Sequence, residues 1–543
     1  MGSSALARAK TAPHRFHRDF RLPLRLCALA RRRWWCWAVL GAAMILGRVA
    51  LLPVLPVPDP VYQDEFSYLL AGDTFAHGRV ANPTPPHPEF FESPHVLEKP
   101  TYASKYPPGQ GLVLALGERL AGHPYWGVVA SGALMVVLFC WMADAWLPPQ
   151  WALLAGGISW VLFFQRHYWF TSYWGGNVAA CGGALVVGAL GYVLRGRVRG
   201  ARLGFALGAI LLYCTRPYEG AVLCLAIGIG LALWFRRQKE TRKRAFVRGV
   251  LLPNSALLAM AVPLLLWYNV AVTGHAMQLP AMLYANQYDL APKFWLLREL
   301  PSKEYSNVSL RETAVWELDL YHKQLTPWWA ARATDFVLLL FAGVWMQFTA
   351  LGLLLLALPW ARLRGRMRWL VGLLAAGAAA LLLEIAYLPH YTAPFTPVLL
   401  LTIAGCGRAV WYRLSAIRLG PPLLGLLLCV AALFVVRDYT GALQDPGATP
   451  RARLVRRLTS KGGRHLVFVD YLEGYGFQDQ WVYNGADLAR EPVVMAHSRG
   501  DAENRELLSE FGDRTVWLLK LGPGSSDVNL QAYPGLAAPL AVR

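Results

Sequence analysis

The chain has 543 residues, of which 55% are hydrophobic and only 16% are charged, and this composition excludes a single soluble domain. The net charge of +20 does not indicate nucleic-acid binding, because the basic residues fall on alternate segments between long apolar runs. The eight cysteines include no CxxC pair, which argues against a zinc knuckle or a disulfide framework.

Apolar runs of about twenty residues, long enough to cross a hydrocarbon core of about 30 Å, predict about eleven membrane spans. We therefore expect a polytopic α-helical membrane protein. A basic segment (1–33) precedes a transmembrane part (34–436) with large loops at 54–123 and 273–334, and a small α/β domain (437–543) follows. The predicted spans are 34–53, 124–146, 150–166, 176–194, 203–215, 218–235, 250–272, 335–359, 369–387, 393–408 and 420–436.

The charge distribution predicts the orientation of these spans. Segments on one side hold 27 Lys and Arg against three acids, a net charge of +24, and the rest of the chain sums to −4. Cytoplasmic loops carry such an excess, so we expect a cytoplasmic N-terminus and extracytoplasmic large loops and tail. The same charge favours contact with anionic membrane lipids and no nucleic-acid partner.

The tail shows an alternation of strand-like and helical runs that is typical of an α/β domain. Four apolar runs, 465–469, 481–483, 492–496 and 515–519, read as strands. A helical pattern at 501–511 lies between the last two.

The first large loop contains the residues that most suggest chemistry. Residues 64–78 have the spacing of an interfacial helix, and it opens with the adjacent acids Asp64 and Glu65. An acid pair at a helix N-terminus is stabilised by the helix dipole, which is a purely structural explanation. The alternative is a general base at the mouth of a membrane cavity. A second short apolar helix is expected at 109–121.

Other ionisable residues lie at span ends on the same side. They are Arg216, the Arg166-His167 pair and the His390-Tyr391 pair. Ionisable groups at membrane depth are costly and often functional, although an arginine at a span end also reaches the headgroups by snorkelling.

A metal site in the first loop is the weaker interpretation. The residues His77, His87, Glu89, Glu92 and His95 are plausible ligands, but none has a rigid helical i, i+4 spacing. We assign no metal ligand, and a divalent metal remains an open alternative.

The order of these features resembles the membrane glycosyltransferases of the C fold (GT-C), in particular the protein mannosyltransferase and aminoarabinose transferase branch. The resemblance rests on one span, the pair Asp64-Glu65 opening a helix in a large loop, the motif Lys105-Tyr106-Pro107-Pro108-Gly109, and a ladder of spans. It covers roughly residues 34–410.

The resemblance implies an enzyme of the bacterial inner or plasma membrane that transfers a sugar from a polyprenyl-phosphate donor to a hydroxyl acceptor, with inversion. Asp64 would act as general base and Glu65 would support it or orient the acceptor. Lys105, with Lys99 as the fallback, would lie near the lipid phosphate.

The remaining span-end residues would bind the same donor, with His390 standing where the family more often has arginine followed by tyrosine. These donor-binding candidates are Arg216, His390, Tyr391, Arg166 and His167. The acceptor, whether protein, lipid or glycan, is open. A transporter or flippase of a lipid-linked saccharide and a non-catalytic membrane scaffold are the alternatives.

Overall fold

The computed structural model of the chain consists of a bundle of apolar helices and a small α/β unit that follows it. The described residues are 32–164, 168–325, 327–361, 365–386, 388–444, 448–523 and 529–534. Nearly all of the predicted basic segment (1–33) therefore lies outside them.

The helices of the bundle and its loops are named here in chain order. They are α1 (Arg33–Leu51), α2 (Gln63–Ala76), α3 (Pro108–Ala121), α4 (Tyr125–Trp146), α5 (Pro149–Phe163), α6 (Gly176–Leu194), α7 (Gly204–Tyr213), α8 (Pro217–Arg236), α9 (Glu240–Thr273), α10 (Pro280–Tyr288), α11 (Val308–Leu325), α12 (Trp328–Ala357), α13 (Met367–Leu381), α14 (Pro389–Leu414) and α15 (Gly420–Gln444).

Eight of the described helices are long and apolar enough to cross a membrane, and the chain is a multi-pass membrane protein. These eight are α1, α4, α6, α8, α9, α12, α14 and α15. The other three predicted spans, 150–166, 203–215 and 369–387, correspond to α5, α7 and α13. Those helices have 15, 10 and 15 residues, which is short for a full crossing.

The centre of the bundle is α6, which is almost wholly buried. Small residues allow neighbouring helices to approach its backbone closely. A Cβ atom on Gly188 would lie 2.1 Å from the Trp141 ring of α4, and one on Gly183 would lie 2.2 Å from the Pro394 carbonyl oxygen of α14. The glycines of α6 therefore hold α4 and α14 against it.

The two short helices of the first loop form where the sequence predicts them. Helix α2 covers most of the predicted segment 64–78: it ends at Ala76, and Gly78, whose φ is +73°, follows two residues later. Helix α3 begins with Pro108 and ends before Gly122, at φ +74°. The prediction that α2 is amphipathic is wrong. Most of α2 is buried on several sides, because α3 packs on one face and the C-terminal unit covers another.

The C-terminal unit is a four-stranded mixed sheet with two described helices. Strands β1 (Val96–Leu97) and β2 (Ala103–Ser104) belong to the first loop. In chain order the elements of the C-terminal unit are α16 (Pro450–Ser460), β3 (His465–Tyr471), β4 (Val493–His497), α17 (Asp501–Glu510), β5 (Thr515–Leu521) and β6 (Asn529–Ala532). Strand order is β4-β3-β5-β6, with β6 antiparallel and the other pairs parallel.

One of the four predicted strands of this unit is wrong. Residues 481–483 form a buried loop, not a strand, although Trp481, Val482 and Tyr483 are apolar. They pack into the unit's core and against the first loop, so hydrophobicity marks their burial and not their backbone geometry.

The C-terminal unit packs on the first loop. The Phe66 ring of α2 stacks on the Tyr483 ring with centroids 4.5 Å apart, and the Arg451 guanidinium covers Phe66 at 4.5 Å. The Asp73 carboxylate accepts a hydrogen bond of 2.6 Å from the Ala486 amide. The unit therefore covers α2 at one end of the bundle.

Candidate active site at the start of α2

The acid pair lies in the first turn of α2, where the helix dipole favours negative charge. The two side chains differ in surroundings. Asp64 keeps 25% of its side-chain exposure, whereas Glu65 is 2% exposed as a residue and has one carboxylate oxygen without a partner among the described residues. Asp64 is thus the member of the pair that a substrate can reach.

Two side chains contact the Asp64 carboxylate. The Tyr106 hydroxyl donates a hydrogen bond to Asp64 Oδ1, and the Tyr106 ring stacks on Tyr68 with centroids 4.2 Å apart. His95 Nε2 lies 3.5 Å from the same oxygen. Asp64 Oδ1 therefore faces hydroxyl and imidazole groups at the point where α2 begins.

A small hairpin places His95 and Lys105 side by side. It is formed by β1 (Val96–Leu97) and β2 (Ala103–Ser104), which pair in antiparallel fashion. The His95 carbonyl accepts hydrogen bonds from the Lys105 amide at 3.1 Å and from the Ser67 hydroxyl of α2 at 2.6 Å. The hairpin therefore fixes both residues against the first turns of α2.

The second cation near Asp64 is Arg216. It is the residue that precedes α8, whose first residue is Pro217, and its guanidinium lies 4.6 Å from the centre of the Tyr391 ring. Lys105 Nζ lies 4.5 Å from the centre of the Tyr284 ring. Within the described residues, no carboxylate lies within 4 Å of either cation, so both retain capacity to bind an anion.

The charges in this site act on one another. Burial raises the pKa of Asp64 above its ordinary value, and the positive charges of Lys105 and then Arg216 oppose that rise. Burial, with the nearby Lys105 charge, holds the pKa of His95 well below its usual range, so His95 is neutral at pH 7. Burial also raises the pKa of Glu65, to about 8, although backbone hydrogen bonds oppose the rise.

His390 and Tyr391 lie at the start of α14. His390 is 4% exposed, and its ring packs on the Trp174 ring with centroids 4.6 Å apart. Its Nδ1 atom has no hydrogen-bond partner in the part of the chain that is described. Through Tyr391 and Arg216, the start of α14 and the start of α8 lie against each other beside Asp64.

The other candidates from the sequence are not found beside Asp64 within the described ranges. Arg166 and His167 fall outside the described residues. Lys99 is exposed, and its carbonyl accepts a hydrogen bond from Gln287.

The candidate metal ligands of the first loop do not form one group. His95 lies at Asp64, whereas Glu92 accepts hydrogen bonds from Tyr288 and Ser306. Among the described residues, a set with ligand atoms within 4.8 Å of one another is Asp73, His77 and Glu118, at the far end of α2.

Two acids of the second large loop belong to the site but were not predicted. Asp289 follows α10 and Glu317 lies in α11. Burial raises the pKa of both, and the Lys105 charge lowers both. Neither stands in a motif, and only the folding of the second loop over the first brings them near Lys105, so no local sequence pattern indicates their role.

The multi-pass bundle, with the C-terminal unit packed over its first loop, is similar to a solved structure of the C fold of membrane glycosyltransferases. The structure of ArnT from Cupriavidus metallidurans bound to undecaprenyl phosphate matches with a TM-score of 0.51 at 14% identity, over 89% of this chain and 93% of that chain. The chain therefore has the GT-C fold that the sequence resemblance predicted.

Two further solved structures match less well. ArnT from Cupriavidus metallidurans in the apo state gives a TM-score of 0.45 at 14% identity, over 89% of this chain and 92% of that chain. The archaeal oligosaccharyltransferase AglB from Archaeoglobus fulgidus, in complex with an inhibitory peptide and a dolichol-phosphate, gives 0.45 at 10% identity, over 90% and 69%. No protein-family model and no curated protein sequence matches the chain.

Proposed function

We propose that the chain is a membrane glycosyltransferase that moves a sugar from a polyprenyl-phosphate donor to a hydroxyl group of an acceptor. The observation that carries this proposal is the arrangement around Asp64. A reachable carboxylate lies in the field of two cations, Lys105 and Arg216, that lack ion-pair partners among the described residues. The undecaprenyl phosphate bound to the structure with the same fold supports the donor class.

Asp64 suits the role of general base. A base works best when its pKa lies near the working pH, and burial raises the pKa of Asp64 in that direction. The Lys105 and Arg216 charges oppose this rise and so favour the ionised carboxylate, which is the form that accepts a proton. The hydrogen bond from the Tyr106 hydroxyl supports the view that an alcohol can donate to Asp64 Oδ1.

The proposed reaction is a single displacement at the anomeric carbon. The acceptor oxygen forms a bond to C1 of the sugar, its proton passes to Asp64, and the bond between C1 and the phosphate oxygen breaks. The electron pair leaves with the polyprenyl phosphate. Attack opposite the leaving group inverts the anomeric configuration.

Lys105 and Arg216 are proposed to bind the donor phosphate. Cations that are fixed before the reaction stabilise the negative charge that develops on the departing phosphate. We assign His390 and Tyr391 to the same donor site, because Arg216 lies over the Tyr391 ring and both residues begin α14. Glu65 is proposed to support the start of α2, since it is buried.

The site and the C-terminal unit are proposed to face the extracytoplasmic side. Arg195 and Arg366 lie at the opposite end of the bundle, where their side chains donate hydrogen bonds to the carbonyls of Asp144 and Ala145, respectively. Basic turns favour the cytoplasmic side.

The test is the Asp64→Asn variant, which keeps the size of the side chain and removes the base. Membranes or purified protein are supplied with undecaprenyl-phosphate donors that carry labelled sugars, and transfer of label to envelope fractions is measured. We expect at least about a 100-fold loss of transfer with normal expression. Glu89→Gln, in the same loop, is the matched control and should keep its activity. Unchanged transfer in Asp64→Asn would eliminate Asp64 as the base.

A further inference from the structure

A second charged cavity lies at the end of the bundle opposite Asp64. It has a volume of about 530 Å³ and is open to the surface, and its wall includes the turn between α4 and α5 at 146–149. The size is within the range of small-molecule sites. The proposed glycosyl transfer makes no use of it.

Arginines from four parts of the chain line this cavity. They are Arg33 at the start of α1, Arg195 and Arg197 after α6, Arg366 before α13 and Arg408 in α14. Asp144 is the one acid in the lining, and it is already engaged, because it pairs with Arg33 at 2.7 Å and accepts from the Tyr192 hydroxyl at 3.2 Å. The cavity therefore has a strong excess of positive charge.

The other four arginines have no ion-pair partner among the described residues. In the described ranges, no carboxylate lies within 4 Å of Arg195, Arg197, Arg366 or Arg408. Arg195 and Arg366 donate only to backbone carbonyls, at 2.7 Å and 3.2 Å for Arg195 and 3.4 Å for Arg366. Burial lowers the pKa of Arg195, and the Arg366 and Arg197 charges lower it further. An anion between these side chains would relieve that repulsion.

Exposed aromatic residues around the cavity indicate the level of the membrane–water interface. Exposed tryptophans, Trp34 and Trp35, are 69% and 74% exposed and stand next to Arg33 at the first turn of α1. Tyr412, 43% exposed, lies beside the Arg408 guanidinium near the end of α14. Exposed Trp and Tyr at helix ends mark the membrane–water interface, so lipid phosphates are the anions closest to this cavity.

We propose that this cavity binds the phosphate group of an anionic phospholipid of the adjoining leaflet. Guanidinium groups bind phosphate oxygens through paired N–H donors, and basic pockets between transmembrane helices are suited to acidic headgroups. The lipid would hold α1, α6, α13 and α14 together at this end, since each supplies or adjoins one of the arginines. The site is separate from the donor site.

The test uses the full-length chain in detergent and native mass spectrometry. Dioleoyl phosphatidylglycerol, dioleoyl phosphatidylcholine and inorganic phosphate are titrated separately. The chosen variant is Arg197→Gln/Arg408→Gln, because both arginines line the cavity and, among the described residues, neither side chain donates a hydrogen bond to a backbone carbonyl. Arg237→Gln/Arg413→Gln is the matched control, since both arginines are exposed at the same end and neither lines the cavity.

We expect the first molecule of phosphatidylglycerol to bind the wild-type protein more tightly than phosphatidylcholine does. Its affinity for Arg197→Gln/Arg408→Gln should be at least fivefold lower than its affinity for the wild type. The control should change less than twofold, and Arg197→Lys/Arg408→Lys should recover most of the binding. Equal losses in the variant and the control would overturn the proposal. The proposal would also be overturned if the double variant lost the binding of inorganic phosphate but kept the binding of phosphatidylglycerol.

Discussion

The Gly109 amide donates a hydrogen bond of 2.7 Å to the carbonyl of Cys214, two residues before Arg216. This contact joins the start of α3 to the start of α8, and thereby places Lys105 and Arg216 around one carboxylate. A Cβ atom at Gly109 would lie 2.6 Å from the Cys214 carbonyl oxygen and 2.8 Å from Thr215 Cγ2. The absence of a side chain at position 109 is thus a condition for the site.

We predict that Gly109→Ala separates the two segments and lowers transfer activity by more than tenfold. Overpacking of this kind costs about 1–3 kcal/mol, so the thermal unfolding temperature should fall as well. Gly157→Ala in α5 is the control, because a Cβ atom there meets nothing within 4 Å. The control should keep its activity and unfolding temperature. Unchanged activity and unfolding temperature in Gly109→Ala would contradict the close approach of Gly109 to Cys214.

We predict that Lys105→Gln changes the pH dependence of transfer as well as its rate. The Lys105 charge lowers the pKa of Asp64, so its removal raises that pKa and protonates the base at higher pH. The acidic limb of the kcat/KM profile should move upward by about one pH unit, with a rate loss of at least tenfold from weaker phosphate binding.

The matched control for Lys105→Gln is Lys99→Gln. Lys99 is an exposed lysine of the same loop. The Lys99→Gln substitution should change neither the acidic limb of the kcat/KM profile nor the rate of transfer. A loss of rate in Lys105→Gln without a shift of the acidic limb would mean that Lys105 does not act on Asp64.

Eight of the eleven predicted spans, and the helix that opens with Asp64-Glu65, were predictable because they depend on local sequence. A span is predicted from the length of its apolar run. Helix α2 is predicted from the acids Asp64 and Glu65 at its start and from Gly78 after its end. The burial of α2 was not predictable, since it depends on Tyr483, more than 400 residues away in the chain. Local periodicity carries no information about such a partner.

The site was predictable only where a motif stands in the sequence. Lys105 and Tyr106 belong to the motif before α3, but the sequence could not show that the Tyr106 hydroxyl reaches Asp64. His95 was considered as a metal ligand, and the hairpin instead places it beside Asp64. Asp289 and Glu317 enter through the fold of the second loop, which sequence alone does not specify.

We predict that Tyr483→Ala loosens the C-terminal unit from α2. Tyr483 is 5% exposed, and its ring stacks on the Phe66 ring. The Arg451 guanidinium also packs on the Phe66 ring. Truncation of a buried aromatic side chain costs about 3–5 kcal/mol of folding stability. Here the lost stability belongs to the contact between the C-terminal unit and α2. Amide hydrogen exchange in α2 should rise at least tenfold.

The control for the tail contact is Leu472→Ala, an apolar residue of the same unit that is 46% exposed. It should leave exchange in α2 unchanged. Faster exchange throughout the C-terminal unit, with none in α2, would show that Tyr483 stabilises that unit internally and not its contact with the first loop.

The last prediction concerns Glu65 and the pH dependence of stability. The pKa of Glu65 is about 8 in the folded chain, mainly because of burial, against about 4.3 for an exposed glutamate. Between these values the folded state binds more protons than the unfolded state, so stability falls as the pH rises from about 4 to about 8. Glu65→Gln removes this contribution because glutamine does not titrate.

We therefore expect the unfolding temperature of the wild type to fall between pH 5 and pH 8.5, and that of Glu65→Gln to fall distinctly less. Other buried acids, such as Glu317, keep part of the slope in the variant. Glu89→Gln, whose side chain is 38% exposed, should retain the wild-type slope. If Glu65→Gln keeps the full slope, Glu65 is ionised in the folded chain at neutral pH, and it is then available to assist Asp64 as a second negative charge.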